Sequence, residues 1–79
     1  MQIHVTYKSK NDLNAPRLHR WIVKRSKSTL VIASAHTQYG AYRKARRLAR
    51  LTRAEVFVHR KDGRIRYRNS FGNDPRGRG

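Results

Sequence analysis

The chain has 79 residues, enough for one small domain, and a domain of this size buries only about 60 % of the surface that its unfolded chain exposes. The sequence contains no Cys, which excludes disulfide bonds and thiolate metal sites. No apolar run approaches the roughly 20 residues of a membrane span, and the first residues lack the pattern of a signal peptide. We therefore expect a cytoplasmic domain with no membrane partner.

Positive charge dominates the composition. Twenty Lys and Arg residues stand against four Asp and Glu, so the formal net charge is +16 with the His residues neutral. Such an excess opposes compaction through self-repulsion and attracts polyanions. Contacts to phosphates also release condensed counterions, which favours binding to nucleic acid. The alternative is a surface made basic for solubility, although solubility alone does not require so unequal a balance.

Three short strands are predicted in the first half of the chain. Residues 3–7 alternate between apolar and polar side chains, which is the period of a half-buried strand. Residues 9–17 are polar and turn-forming and predict a loop. Trp21 and Val23 share one face of a second strand. Residues 30–35 are apolar and β-branched enough for a third strand, with an irregular segment as the alternative.

A helix is predicted from about Gln38 to Arg53, with Thr37 as its N-cap. At about 100° per residue, small and apolar side chains gather on one side of this helix. The members of this side are Ala41, Tyr42, Ala45, Leu48, Ala49 and Thr52. The opposite side carries Arg43, Arg46, Arg47 and Arg50, with Lys44 and Arg53 at its margins. The small alanines predict close contact between the helix and a sheet.

Two strands joined by a hairpin turn are predicted after the helix. Residues 56–59 form the first strand, and Asp62-Gly63 favours a type I′ turn because that turn needs positive φ angles. Residues 64–68 then alternate strictly, which predicts Ile65 and Tyr67 on one face and three arginines on the other.

These elements predict an α+β domain with the order β-β-(β)-α-β-β. The simplest packing is a small antiparallel sheet of four to five strands with one helix packed on one face. The domain covers residues 1–73, and residues 74–79 form a flexible basic Gly/Arg tail. The core packs against the alanine side of the helix and consists of Ile3, Val5, Trp21, Val23, Val56, Val58, Ile65 and Tyr67.

Residues from all these elements together resemble one known family. In the strands and the helix they are His4-Val5, Trp21-x-Val23-Lys24, Thr37, Ala41, Ala45-Arg46, Leu48-Ala49 and Val56-x-Val58-His59. The most specific part comes last, as Asp62-Gly63-Arg64-Ile65-Arg66 and Asn69-Ser70-Phe71-Gly72-Asn73-Asp74-Pro75. Over about residues 3–75 the chain is similar to the small prokaryotic and phage family named domain of unknown function 2188. The resemblance implies a compact strand–helix–strand domain in the cytoplasm of a prokaryote, or of a host cell if phage-encoded, and it implies no particular activity.

The helix of this chain departs from the pattern of that family. The family's helix usually mixes Glu with Arg, often with a Glu before the residue that matches Ala41, where this chain has Gly40. Here the side opposite the alanines is almost purely basic. We therefore expect the charge of this chain to be a specialisation.

Two basic surfaces are candidate nucleic-acid contacts. Six basic residues lie on the helix with no acid between them, namely Arg43, Lys44, Arg46, Arg47, Arg50 and Arg53. Like charges three or four residues apart destabilise a helix by about 0.2–0.5 kcal/mol per pair, so their accumulation indicates phosphate contact rather than a merely solvated face. The last strand adds Arg64, Arg66 and Arg68, with help from Lys24, Arg25 and Lys27. Phe57 beside the strand arginines is a possible platform for stacked bases, or a dimer contact.

The histidines and acids offer little for catalysis or metal binding. His4 and His59 lie side by side if their strands pair, but two His without a nearby acid or thiol form a poor zinc site. His19 and His36 have no spacing motif. The four acids are scattered, and no Gly-rich phosphate loop is present. We expect no enzyme, no metal and no cofactor, with a metal-free ribonuclease through His4 and His59 as the alternative.

The sequence therefore predicts a nucleic-acid-binding protein that contacts mainly the phosphate backbone, with strong salt dependence and weak sequence selectivity. Arginines without Asn, Gln or Glu readers favour phosphates over base edges. The ligand is DNA or RNA, with duplex DNA, single-stranded DNA and structured RNA all open. The alternative is a small phage or accessory protein that binds and modulates an acidic host protein, since the same charge would steer that encounter. We expect a monomer or a small homo-oligomer.

Overall fold

The computed structural model describes residues 1–9, 12 and 15–71. Three strands come first: β1 (Gln2–Tyr7), β2 (Trp21–Arg25) and β3 (Val31–Ala35). The helix α1 (Gln38–Thr52) follows, and β4 (Glu55–His59) and β5 (Ile65–Ser70) complete the chain of elements. The third strand, which the sequence left open, is formed. The predicted domain boundary at residue 73 and the tail 74–79 lie outside the described residues.

The five strands form one sheet with the order β3-β2-β1-β4-β5. The α+β class and the single helix on one face are confirmed. The expectation of an antiparallel sheet is wrong for one pair, because β1 and β4 run parallel, with Ile3 opposite Val56 and Val5 opposite Val58. The other three pairs are antiparallel. Helix α1 makes the parallel pair possible, since it carries the chain from the β3 edge back across β2 and β1.

Helix α1 has the predicted start and an unusual end. The side-chain oxygen of Thr37 accepts a hydrogen bond from the backbone N–H of Gly40 at 3.0 Å, as an N-cap does. At the other end, Arg53 takes the left-handed conformation with φ 55°, and its N–H bonds the carbonyl of Ala49. Glycine commonly occupies this position because it has no Cβ. Lys27, in the turn between β2 and β3, also has a positive φ, at 62°.

The core lies between α1 and the sheet face that it covers. Six of the eight predicted core residues are buried there, namely Ile3, Val5, Trp21, Val23, Val56 and Val58. Burial of an aliphatic side chain of this size contributes about 1.5–3 kcal/mol. Ala41, Ala45 and Ala49 of the helix are fully buried against them. The small alanine side chains therefore do what the sequence predicted and let the helix lie close on the sheet.

The two predicted core residues of β5 are more exposed than expected. Ile65 is 55 % exposed and Tyr67 is 38 % exposed. The helix lies over β1 to β4 and does not extend over β5, which is the edge strand. The prediction was wrong because strand alternation gives the face of a residue but not its distance from the helix.

The second face of the sheet, which we call the open face, is partly covered by the β1–β2 connection. Ile22 alternates with Trp21 and Val23 and points away from the helix, yet it is fully buried. Ala15 and Asp12 of the connection are also buried, and Asp12 is bound to Lys24 on the same face of β2. The predicted loop thus covers part of the sheet.

The hairpin between β4 and β5 is confirmed, but its type is not. Among the residues of the turn only Gly63 has a positive φ, at 96°, whereas a type I′ turn requires positive φ at both central residues. The N–H of Gly63 bonds the carbonyl of Arg60, and the N–H of Arg60 bonds the carbonyl of Arg64. This arrangement is a three-residue loop with a glycine bulge. Within the described residues no helix is long and apolar enough to cross a membrane.

Candidate nucleic-acid interface

The side of α1 that points away from the sheet carries several exposed arginines with no acid among them. Burial of the three alanines fixes the rotation of the helix, so the residues on the opposite side must face solvent. We call Arg43, Arg47, Arg50 and Leu51 the outer helix face. All four side chains are exposed, and they stand around a shallow open depression on the helix.

The arginines of the outer helix face are only weakly engaged within the protein. Arg43 lies over the exposed ring of Tyr39, with 6.0 Å from its guanidinium carbon to the ring centroid. The side chains of Arg47 and Arg50 form no hydrogen bond, ion pair or ring contact with any described residue. The described part of the chain has two ion pairs, and neither involves the helix. These guanidinium groups therefore keep their full charge and all their donors for a ligand.

The other three basic residues of the helix are placed at its margins. Arg46 is half-buried and lies 5.7 Å from the centroid of the Tyr42 ring. Lys44 donates a hydrogen bond from Nζ to the carbonyl of Ser34 on β3. Arg53 ends the helix, as described above. Among the six predicted basic residues of the helix, the structure therefore separates free arginines from cations that are held by contacts within the protein.

The three arginines in and just before β5 do not form the single stripe that strict alternation predicted. The β4–β5 register passes from Val58 opposite Tyr67 to His59 opposite Ile65 and skips Arg66. Arg66 turns towards the helix and donates from Nη1 to Oε1 of Gln38 at 2.6 Å. Arg64 bonds Asp62, with 3.1 Å between Nε and Oδ2, and Arg68 lies over Phe57. The prediction of one arginine face is wrong because the irregular register interrupts the alternation.

The three assisting residues around β2 also differ in their engagement. Lys24 pairs with the buried carboxylate of Asp12 at 3.1 Å between Nζ and Oδ1. Burial alone would raise the pKa of Asp12, but bonds from the Ser9 N–H, from Lys24 and from the Ser9 hydroxyl outweigh it and lower that pKa. Arg25 and Lys27 are exposed at the β2–β3 turn. Of the three, Lys24 is the one whose charge is already compensated.

Phe57 on the open face has both faces of its ring covered. The ring of His4 on β1 stacks on it with centroids 5.0 Å apart and an interplanar angle of 15°. Arg68 on β5, the strand on the other side of β4, lies 5.9 Å from the ring centroid. A base could stack on Phe57 only after one neighbour moved away. The structure therefore gives no support to the base-stacking platform.

His4 and His59 lie side by side, as predicted for paired strands, and they bond each other directly. His4 Nδ1 and His59 Nε2 are 2.8 Å apart, and His59 Nδ1 is 2.9 Å from the carbonyl of Gly63. Because a carbonyl only accepts, His59 Nδ1 carries a proton, so in the neutral pair His4 Nδ1 donates to His59 Nε2. Burial lowers the pKa of His4, and His59 and Lys24 lower it further. In this arrangement each of the two facing nitrogens is occupied by the other histidine.

A second histidine pair was missed by the sequence reasoning. The rings of His19 and His36 meet edge to face with centroids 4.7 Å apart, and His19 Nδ1 lies 2.6 Å from the hydroxyl of Ser34. The β2–β3 register, with Trp21 opposite Ala35, brings the residues just outside the two strands together. The pair could have been predicted by assuming that β2 and β3, which follow each other in the chain, pair as a hairpin. Among the described residues no three His, Asp or Glu side chains gather where a metal ion could be held.

Two further cations that the sequence reasoning left out, Arg60 and Lys61, line a pocket with Trp21, Gln38 and Arg66 beside the start of α1. They flank the Asp62-Gly63 turn, and only the folded hairpin brings them towards the helix. The sequence did place both residues next to the predicted turn, and this was the one indication that they could reach another element.

Comparison with protein families matches the chain over residues 3–71 to domain of unknown function 2188, described as an uncharacterized protein conserved in bacteria. The chain belongs to this family. The match runs from the second residue of β1 to the first residue after β5, so the resemblance seen in the sequence is confirmed. No curated protein and no solved structure gives a significant match.

Proposed function

We propose that this protein binds nucleic acid, DNA or RNA, mainly through contacts between the outer helix face and the phosphate backbone. The observation that carries the proposal is the presence of exposed arginines on one helix side with no acid or hydrogen-bond partner among the described residues. Arg47 and Arg50 are the freest of them. A polyanion would relieve the repulsion between these groups and release counterions at the same time.

The shape of the surface supports the same proposal. Helix α1 has 15 residues, which corresponds to a length of about 22 Å, and only its alanine side is used by the fold. An α-helix fits the major groove of a DNA duplex, and its arginines also reach phosphates at the groove edges. The outer helix face carries no Asn, Gln or Glu side chain to read bases. Weak sequence selectivity follows from this composition.

The arginines of β5 have a secondary part in the proposal. Arg64 and Arg68 are exposed, but one is paired with Asp62 and the other rests on Phe57. A phosphate would have to compete with these partners. We therefore assign the larger share of the affinity to the outer helix face.

Binding is tested by fluorescence anisotropy with labelled duplex DNA, single-stranded DNA and RNA of equal length, titrated between about 50 and 200 mM salt. For the wild type we expect affinity that falls steeply with salt. The double variant Arg47→Glu/Arg50→Glu should lose about a hundredfold in affinity and lower the duplex salt slope by about 1.8, as the loss of two phosphate contacts requires.

The matched control is Arg17→Glu/Arg20→Glu. These arginines are exposed in the β1–β2 connection. Both variants reduce the formal charge from +16 to +12, because each exchange of Arg for Glu removes one positive charge and adds one negative charge. The control should lose about threefold or less, since only the long-range field changes. Equal losses in the two variants would contradict a specific helix interface and leave only diffuse attraction.

An acidic protein partner is a second candidate, and one observation favours it. Leu51 is 80 % exposed on the outer helix face, where an apolar side chain gives little to phosphates but is useful at a protein interface. Leu51→Ser should leave nucleic-acid affinity unchanged under our proposal. Failure of the wild type to bind any of the three nucleic acids at low salt would favour the acidic protein.

A further inference from the structure

The pocket beside the start of α1 is distinct from the outer helix face. Its volume is about 430 Å³, and it is lined by Trp21, Gln38, Arg60, Lys61 and Arg66. These residues come from the first residue of β2, the first residue of α1, the β4–β5 turn and β5. The volume lies within the range of small-molecule pockets, about 300–1,000 Å³. The pocket is large enough for a single nucleotide and too small for a duplex.

Three cations converge on this pocket, and no acid lines it. Asp62 follows the pocket residue Lys61 in the β4–β5 turn. Its carboxylate accepts bonds from the backbone N–H and the Nε of Arg64 at 2.9 and 3.1 Å. The backbone bond from Arg64 is the main cause of the lowered pKa of Asp62, and Arg60 has a smaller influence. Most of the positive charge in the pocket therefore has no counterpart among the described residues.

Neutral groups hold two of the three cations in place. Gln38 accepts from Arg66 at its Oε1 and donates from its Nε2 to the carbonyl of His59 at 2.8 Å. The Nζ of Lys61 lies 5.2 Å from the centroid of the Tyr7 ring, and that ring contacts Trp21 edge to face. The amide of Gln38 and the ring of Tyr7 orient the two cations without neutralising them. The cations are therefore preorganised for an anionic ligand and keep their charge.

Two further features favour an anion at this place. The indole N–H of Trp21 has no hydrogen-bond partner in the described chain, and no buried side-chain polar atom there lacks a partner. The indole N–H must therefore reach solvent. The first turn of α1 contains no acid, so the positive end of the helix dipole at Gln38 is not compensated.

We propose that this pocket binds a phosphomonoester dianion of a nucleotide, either at the end of a nucleic-acid strand or as a free mononucleotide. A phosphomonoester carries about −1.5 to −2 charges at neutral pH, more than the single charge of a backbone phosphodiester. Three uncompensated cations in one small pocket match the dianion better. Binding to a strand end rests on the proposed nucleic-acid function, whereas binding of a free mononucleotide does not.

The single tryptophan of the chain makes the test direct, because Trp21 is the only one and lines the pocket. Its emission is titrated with adenosine 5′-monophosphate and with adenosine at constant ionic strength. We expect a saturable change with the monophosphate and none with the nucleoside. Equal responses, or no response to the monophosphate, would overturn the proposal.

The strand-end source is tested with short single-stranded oligonucleotides that carry a 5′-phosphate, a 3′-phosphate or neither. If strand ends are the ligand, one phosphorylated form should bind about tenfold tighter than the unphosphorylated form. If the pocket binds the free nucleotide alone, the three oligonucleotides bind equally while the monophosphate still changes the emission of Trp21. If the three oligonucleotides bind equally and the monophosphate does not change the emission of Trp21, the pocket binds neither strand ends nor free mononucleotides.

Variants separate this pocket from the outer helix face. Arg60→Gln/Lys61→Gln should abolish the response to the monophosphate, whereas Arg17→Gln/Arg20→Gln, with the same change of charge, should keep it. The helix variant Arg47→Glu/Arg50→Glu should keep the monophosphate response while its overall affinity for nucleic acid falls. Loss of the response in the Arg17/Arg20 control would show that net charge alone is responsible and would refute the pocket. A wild type that binds no nucleic acid but responds to the monophosphate would refute the proposed function and leave the pocket standing.

Discussion

The outer helix face and the open face of the sheet use the same residue types in opposite ways. On the helix, Arg47 and Arg50 stand free among the described residues. On the open face, Lys24 is paired with Asp12, and Arg68 rests on Phe57. Both faces are basic, but only the helix offers cations that a ligand can use without displacing a partner.

The difference teaches that the availability of a charge matters more than its sign when a binding surface is assigned. A cation in contact with an acid already has part of its charge compensated, so it gives less to a new anionic ligand. The free cations of the helix have no such contact to lose. The comparison between the two faces can be tested by exchanging charges, acids and rings on each of them.

The largest expected difference between the faces is in nucleic-acid affinity. Arg64→Glu/Arg68→Glu on the sheet should reduce affinity by about threefold, against about a hundredfold for the Arg47→Glu/Arg50→Glu variant of the helix. The two double variants carry the same net charge, so anisotropy titration at one salt concentration compares them directly. Circular dichroism before each titration checks that both variants are folded. A larger loss in the sheet variant would reverse the assignment of the two faces.

The next effect concerns the acid that compensates the open face. Asp12→Asn removes the charged partner of Lys24 and weakens the bonds from Ser9, so we expect the free energy of unfolding to fall by about 2 kcal/mol. The exposed pair offers a control, because Asp62→Asn should cost at most about 1 kcal/mol. Urea denaturation at neutral pH measures both values. Equal costs would show that Asp12 is not the stronger partner.

The pH dependence of the stability of Asp12→Asn gives a second test of the contribution of Asp12. The pKa of Asp12 is lowered in the folded state from its ordinary value of 3.8, so its contribution is fully present above that pH. It is lost as the pH falls below 3.8 through the folded pKa. The difference between wild type and Asp12→Asn should therefore close in strong acid. A difference that stays constant down to low pH would contradict the lowered pKa.

The smallest expected effect is at His4. Its pKa is lowered in the folded state from 6.5, so the unfolded chain takes up a proton more readily, and stability falls as the pH drops below 6.5. His4→Phe keeps a ring against Phe57 and removes this titration. Urea denaturation should show that the variant loses less stability than the wild type below pH 6.5. The two free energies of unfolding should differ by less than about 1 kcal/mol, because the site is partly exposed. Parallel pH curves for the two proteins would contradict this expectation.

The helix, its cap and most of the core were predictable because their signals are local. Thr37 and the repeated alanines determine where α1 begins and which side it buries. The face of Val56 and Val58 follows from alternation within one strand. The separation of basic and small residues on the helix is also a local signal, so Arg43, Arg47 and Arg50 were expected on the side away from the sheet, whereas Leu51 was not.

What the sequence could not give depends on distant parts of the chain. The parallel pairing of β1 with β4 depends on where the helix returns the chain, which no short pattern encodes. The burial of Ile22 depends on a loop that covers the open face. The splitting of the β5 arginines follows from a register irregularity beside the hairpin. For the same reason the pocket at Arg60 and Lys61 was not expected.

The two left-handed cations described in the fold, Lys27 and Arg53, show where charge and conformation conflict. A side chain in this region of φ costs about 1 kcal/mol relative to glycine, and small domains have little stability to lose. At both positions the chain nevertheless carries a long basic residue where glycine would relieve the strain. Among the described residues, the backbone strain at non-glycine positions with positive φ therefore falls at two turns, one after β2 and one at the end of α1.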